Sequence, residues 1–271
     1  MAGPGKNYVL GKGKLYFDLI EPGKTVGIGE RYFGNTPELS SAQSQDTLDH
    51  IDADQGMNVK DEQVTISNDM TLTFATDNIE NANFALWYGG DADKLTVAAA
   101  PGVTDPNQIV VKKGLWYQVG VDADTPSGTR SISNVVISKV VPPVPPATDP
   151  TLTPITNANN VDVDLVRARI YIEPDAPDLV DGDVLSVTYD QGGITRTIVV
   201  SKGKEIRGAL RYVADNPVGP NSDHYWPYVK ITPNGDFALK GDTWQQMSFT
   251  GEVLKKDGTT ERLYIDGVAA A

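Results

Sequence analysis

Between Gln63 and Phe74 the chain alternates from residue to residue. Val64, Ile66, Met70, Leu72 and Phe74 fall on one parity, with Asn68 as its polar member, and Gln63, Thr65, Ser67, Asp69, Thr71 and Thr73 fall on the other. Side chains on a strand point to opposite faces in turn, so this stretch predicts a strand with one apolar and one hydroxyl-rich face. The preceding stretch, roughly Arg31 to Leu48, predicts a longer and more polar strand. With little apolar surface of its own it requires neighbours, from this chain or another, and Glu38, Ser40, Ala42 and Ser44 mark it as a candidate inter-subunit strand. The residues between the two read as an acidic hinge, in which Asp46, Asp49, Asp52, Asp54, Asp61 and Glu62 face one base, Lys60.

After the second strand the period changes. Ile79, Ala82, Leu86 and Trp87 recur at helical spacing, Asp77 and Glu80 form a candidate capping box, and Gly89 is placed for a left-handed C-terminal cap. Elsewhere the pattern returns to short strands: Lys12 to Ile20, Leu95 to Ala100, Gln108 to Val111, Leu115 to Val121 and Ile132 to Val141. Further on, Val161 to Ile172 reads as a hairpin, and Val184 to Tyr189 with Ile194 to Val200 as another, joined through Gln191-Gly192-Gly193. Glu205 to Val213, Tyr225 to Ile231, Thr243 to Leu254 and Arg262 to Ile265 complete the set, with Pro227 marking an edge or a bulge. Pro142 to Pro146, followed by Pro150 and Pro154, predicts an exposed loop without a ladder. A dozen or more short strands and one helix define an all-β chain, sandwich- or barrel-like.

A chain of 271 residues buries enough surface to need no staple, and it contains no cysteine, which excludes disulfides and thiolate metal sites. Its net charge of −13 opposes sequence-independent grip on DNA and attraction to anionic membranes. The first ten residues lack the apolar run of a secretory signal, and no stretch approaches the roughly 18 apolar residues of a membrane span. The expectation is a protein made and folded in a cytoplasm.

Catalytic and metal chemistry leave little trace. The two histidines, His50 and His224, have no partners at zinc-ligand spacing. Asp52-Ala-Asp54-Gln-Gly56 departs from a calcium loop, since Met57 and Gln63 stand where glycine and glutamate are needed. Asp122-Ala-Asp124 fits no better. No nucleophile elbow, phosphate loop or dinucleotide fingerprint occurs. Tyr225, Trp226 and Tyr228 could stack on a sugar but read more readily as core or interface. The expectation is no enzyme, no cofactor and no metal.

One combination of motifs is more specific. Tyr32-Phe-Gly-Asn-Thr-Pro37, Thr47-Leu-Asp-His50, Gly56, Lys60-Asp61, the alternating strand and Thr76-Asp-Asn-Ile79 occur in that order. Gly208-Ala-Leu-Arg-Tyr212, Asn216-Pro217-Val-Gly-Pro220 and the run from Tyr228 to Gln246 follow near the end. In order and spacing these resemble the major tail tube protein of long, non-contractile (siphovirus-type) phage tails. The resemblance implies a tube domain made from both ends of the chain, residues 1–121 and 201–271. A β insertion at 122–200 would contain the proline-rich loop 141–158. It further implies subunits in hexameric rings, each giving strands to a shared β-barrel, stacked into a tube in the virion tail and assembled in the host cytoplasm. Tape measure protein and tail terminator or tip proteins would be partners, and DNA would pass without tight binding. The six acidic residues would then face the lumen or the next ring. Where such proteins carry a glycine in the Val161–Ile172 turn, this chain has Ala168. The competing expectation is a carbohydrate- or receptor-binding β module.

Overall fold

A computed structural model of the chain describes residues 8–54, 56–145 and 147–267. The N-terminal residues 1–7, on which the reading of the signal region partly rests, lie outside the described residues, as do Gln55 of the acidic hinge and Pro146 of the proline run. The chain is all-β, with one seven-residue helix among the described residues. It forms two units, Met1–Asp93 with Ile198–Ala271, and Lys94–Thr197.

The first unit opens with β1 (Gly13–Leu19), β2 (Glu30–Tyr32), β3 (Glu38–Asp52), β4 (Val59–Thr76) and α1 (Asn81–Trp87), after which β5 (Gly90–Val97) leads out. The second unit holds β6 (Ala100–Thr104), β7 (Ile109–Val110), β8 (Trp116–Gln118), β9 (Ile132–Val141), β10 (Thr151–Pro154), β11 (Val161–Asp164), β12 (Arg169–Ile172) and β13 (Val184–Gln191). The strand β14 (Ile194–Ser201) leads back, pairing with β5, and is followed by β15 (Ile206–Ala214), β16 (Ser222–Pro233), β17 (Met247–Val253) and β18 (Tyr264–Gly267).

In the first unit the sheet runs β2-β1-β15-β16-β17-β4-β3, with β18 also on β16. Leu15, Phe17, Leu72, Phe74, Leu210 and Phe249 are buried on one side of it. Phe33, Phe74, Phe249 and Trp87 interlock, with Phe74 stacked on Phe249 at 5.3 Å and Trp87 edge-on to Phe249 at 5.5 Å. Such pairs add to burial because ring edges and faces carry opposite partial charge. Pro227 lies inside β16, a central strand, opposite the register shift between Gly208 and Leu210, so it takes the bulge of the two places expected for it. Trp226 is core, not a sugar platform.

The helix starts later than its sequence suggests. Asp77 accepts from Asn35 Nδ2 at 2.6 Å, Glu80 pairs with Arg31 at 2.6 Å, and the Glu80 N-cap makes no side-chain capping bond. Both carboxylates are drawn to partners outside the helix, so the capping box does not form. Gly89 does take the left-handed conformation, at φ 56°.

The second unit packs Ile137, Ile170, Ile172, Leu179, Leu185 and Val187 between its strands. Three expectations are corrected here. The unit begins at Lys94 rather than at 122, because β8, assigned to the first body, pairs with β12. The strands β13 and β14 do not form a hairpin: β13 pairs with β6, β7 and β9, and β14 with β5. Gly192 serves close approach instead of a turn, since a Cβ there would meet the Ser131 carbonyl. Within the proline-rich segment, Thr151–Pro154 forms a ladder with Ser138–Val141, so the expectation of a loop without a ladder fails there. Replacing Pro143 to Asp149 by a short Gly-Asn turn is expected to change stability by less than about 1 kcal/mol, because closure entropy varies slowly with loop length. Chemical denaturation checks this. Ala168, standing where a glycine was expected, is fully buried at φ 53°, a conformation costly for any residue with a Cβ.

The turn after β17 carries its own pH signature. Asp257 accepts from the backbone N–H and hydroxyl groups of Thr259 and Thr260, which lowers its pKa from 3.8 to about 2. A depressed folded-state pKa stabilises the turn above the ordinary carboxylate range, and that contribution is lost as pH falls through about 2. A carboxyl-carbon NMR titration is expected to place the Asp257 midpoint near 2.

Candidate assembly surface

The hairpin β3–β4 joins its sheet only along part of its length. Near the sheet, Leu39 pairs with Phe74, Ser41 with Leu72 and Gln43 with Met70, on the side facing the core. On the other side Ser40 pairs with Thr73, Ala42 with Thr71 and Ser44 with Asp69, and the row continues through Thr250 and Glu252 of β17. The hydroxyl-rich face is therefore present and solvent-facing. The strand β3 is the edge of the sheet, so the backbone groups on its outer side have no strand partner among the described residues.

Beyond Asp46 the two strands pair only with each other among the described residues, since β17 meets β4 only from Met70 to Thr76. The register shifts between Asp46 and Thr47, leaving Ile66 as the extra residue, and again between His50 and Ile51, leaving Asp61. A bulge opposes two residues to one and so exchanges the faces of everything beyond it. Val64, expected beside Met70 and Leu72, lies on the opposite face, across from Leu48. Leu48 is 65% exposed and Val64 57% exposed. The other face carries a polar row: Gln63 Nε2 donates to Thr47 Oγ1 and Asp49 Oδ1, both at 2.9 Å, and Lys60 pairs with Asp49 at 2.7 Å. The hairpin is thus apolar inside and polar outside at its root, and reversed further out. Ile51, Met57, Val59 and Ile66 are exposed as well. A two-stranded ribbon with both faces in water is marginal by itself.

The acidic hinge is mostly ladder. Asp46, Asp49 and Asp52 lie on β3, Asp61 and Glu62 on β4, and Asp54 alone lies in the connection. These six do not form one patch. Asp46 shares a face with Ser44 and Asp69 and accepts from Ser67 Oγ at 3.2 Å. Asp49 faces the other way, its pKa lowered by the hydrogen bond from Lys60. Asp61 sits in the second bulge with His50 Nδ1 at 2.6 Å, and Glu62 pairs with His50 in register. Asp52 pairs with Val59 near the tip. Asp69 and Glu252 join Asp46 on the hydroxyl-rich face. Parity gives Asp69 from sequence, whereas Glu252 needs the β17 register.

Two other features of this unit escaped sequence reasoning. A cavity of about 420 Å³ is lined by Phe17, Leu19, Ile28, Ala85, Leu86 and Ile206, with Arg31 at its wall. Burial lowers the Arg31 pKa, and its pairing with Glu80 partly restores it. Trp244, in the connection before β17, is 93% exposed. Among the described residues no group of three or more His, Cys, Asp or Glu is placed to hold a metal ion, and no helix is long and apolar enough to cross a membrane.

A family described as Protein of unknown function UCP028589 matches residues 8–118, less than half of the chain but including the whole β3–β4 hairpin and α1. No curated protein matches the sequence.

Proposed function

We propose that this chain is a structural subunit that polymerises through the β3–β4 hairpin into stacked rings, forming a tube of the kind found in long phage tails. The observation that carries the reading is the outer half of the hairpin: an open edge and exposed Leu48 and Val64, on a stretch that pairs with no third strand among the described residues. Neighbouring copies supply what it lacks, pairing the β3 edge and covering the apolar pair. The hydroxyl-rich face with Ser40, Ala42, Ser44, Asp46 and Asp69 then faces water in the channel. DNA carries about one negative charge per 1.7 Å, and a wall of hydroxyls and carboxylates leaves it unbound. On this reading the ring is hexameric, and its partners are copies of itself, a tape measure protein and terminator or tip proteins. The tube belongs to a virion tail assembled in the host cytoplasm, and no catalysis or cofactor is involved.

Sedimentation velocity and negative-stain microscopy of the concentrated protein test this. Rings or tubes with an axial channel are expected. A sample that stays monomeric at high concentration, in the presence of purified tail-tip complex as initiator, removes the proposal.

A further inference from the structure

The chain has eight arginines, and four of them, Arg130, Arg167, Arg169 and Arg196, gather in the second unit. Three devices bring them together. The turn after β11 bends back through Ala168 in the left-handed conformation, and Gln118 Nε2 fixes it by donating to the carbonyls of Arg167 at 3.0 Å and Ala168 at 2.9 Å. Arg130 Nη1 donates to the Thr129 carbonyl at 2.7 Å and the Ser127 carbonyl at 3.0 Å. Arg196 Nη2 donates to the Gly128 carbonyl at 2.8 Å, so two guanidiniums clasp one loop.

Counter-charge is short. Asp164 pairs with Arg167 at 3.0 Å, and Asp162 lies beside Tyr171 in register. Burial, followed by repulsion from Arg196 and Arg167, lowers the Arg130 pKa. Arg196 Nε is buried without a hydrogen-bond partner. Next to the cluster, Arg169 lies 4.8 Å from the Trp116 ring centroid, and Trp116 packs on Tyr171 at 5.2 Å. The register of β8 against β12 sets Arg169, Tyr171, Trp116 and Gln118 on one face, with Ile170 and Ile172 buried on the other. Trp116 remains 41% exposed.

Loop stapling accounts for Arg130 and Arg196. Arg167 does not hold that loop: it pairs with Asp164 inside its own turn at 3.0 Å, and Asp164 also lies opposite Arg169 in register, so one carboxylate serves two guanidiniums. Guanidinium forks match oxyanions, and an aromatic ring beside them offers a flat apolar face. We propose that this face of the second unit binds an acidic saccharide, its carboxylate or phosphate held by Arg167 and Arg169 and its ring set against Trp116. A long nucleic acid strand fits less well, because a chain of net charge −13 repels an extended polyanion, whereas one acidic sugar meets only the local field. The proposal concerns the second unit alone and does not depend on polymerisation through the first.

Binding of the full chain to a uronic-acid tetrasaccharide and to a sugar phosphate, followed by isothermal titration or NMR, is the test. Neutral tetrasaccharide, inorganic phosphate and a single-stranded oligonucleotide serve as comparison ligands. The acidic saccharides are expected to bind and the neutral one not. R167A and R169A are each expected to weaken binding by about tenfold, the loss of one charge-assisted hydrogen-bonding group. R167K is expected to recover only part of it, because lysine lacks the fork. Arg262, which donates to the Asn68 carbonyl in the first unit, provides the control R262A, expected to bind as the unaltered chain does. Circular dichroism confirms folding of each variant. Absence of saccharide binding, equal binding by R167A and R169A, equal loss in R262A, inorganic phosphate binding as tightly as the saccharides, or preference for the oligonucleotide would each overturn the proposal.

Discussion

Replacing Leu48 and Val64 together by aspartate is expected to leave a folded monomer that no longer assembles. Both side chains lie beyond the first bulge, exposed at 65% and 57%, and neither belongs to the core of its unit. Exposed positions of this kind change folding stability by about 0.5 kcal/mol or less each. In the proposed assembly the pair is covered by a neighbouring copy, and each side chain contributes about 1.5–3 kcal/mol on burial. Its loss is about 4 kcal/mol per interface, before the cost of placing two carboxylates against apolar surface. The concentration needed for assembly then rises by about three orders of magnitude. Sedimentation velocity at a concentration where the unaltered chain forms tubes checks this, with circular dichroism unchanged. Tubes at that same concentration would place the hairpin outside the interface.

The pair at the centre of that experiment also shows where sequence stops. The alternation from Gln63 to Phe74 gives the strand and, near its end, the correct faces: Met70, Leu72 and Phe74 are buried. It misplaces Val64, because a single unpaired residue, Ile66, inverts the faces of β4 from Thr65 as far as the second bulge at Asp61. A bulge depends on how two strands register, and neither strand's pattern contains it. The same limit explains the acidic hinge. Asp49 and Asp61 read in sequence as two of six acids sharing one base, Lys60, whereas the structure sets Lys60 against Asp49 and His50 against Asp61. The all-β class was legible from period-two patterning and turn residues spread through the chain. The pairing of β13 was not. Its glycine pair looks like a hairpin turn, and only a close backbone approach to Ser131 shows another use. The arginine cluster was hidden for a related reason, since Arg130, Arg167 and Arg196 come from three separate stretches joined only by tertiary contacts.

Phe249→Ala is expected to have the largest effect on stability, about 3–5 kcal/mol, the range for deleting a buried aromatic ring from a packed core. Phe249 is fully buried and touches Phe74 on β4, Phe33 after β2 and Trp87 on α1. Its removal leaves a cavity that three elements cannot close together, because Phe74 is fixed by strand pairing and Trp87 by the helix. Total stabilities of about 5–15 kcal/mol make such a loss a large fraction of the whole. The consequence reaches the hairpin, since Phe74 anchors its root and Leu39 pairs with Phe74 across the ladder. Loosening at Phe74 therefore reduces hydrogen-exchange protection along β3 and β4 more than along β1. Trp244→Ala is the matched comparison: the ring is 93% exposed and its loss is expected to cost less than about 0.5 kcal/mol. Equilibrium denaturation of the two variants at low concentration, where association is absent, separates these outcomes. A Phe249→Ala loss below about 1 kcal/mol would mean that the aromatic cluster is not what holds the hairpin to its sheet.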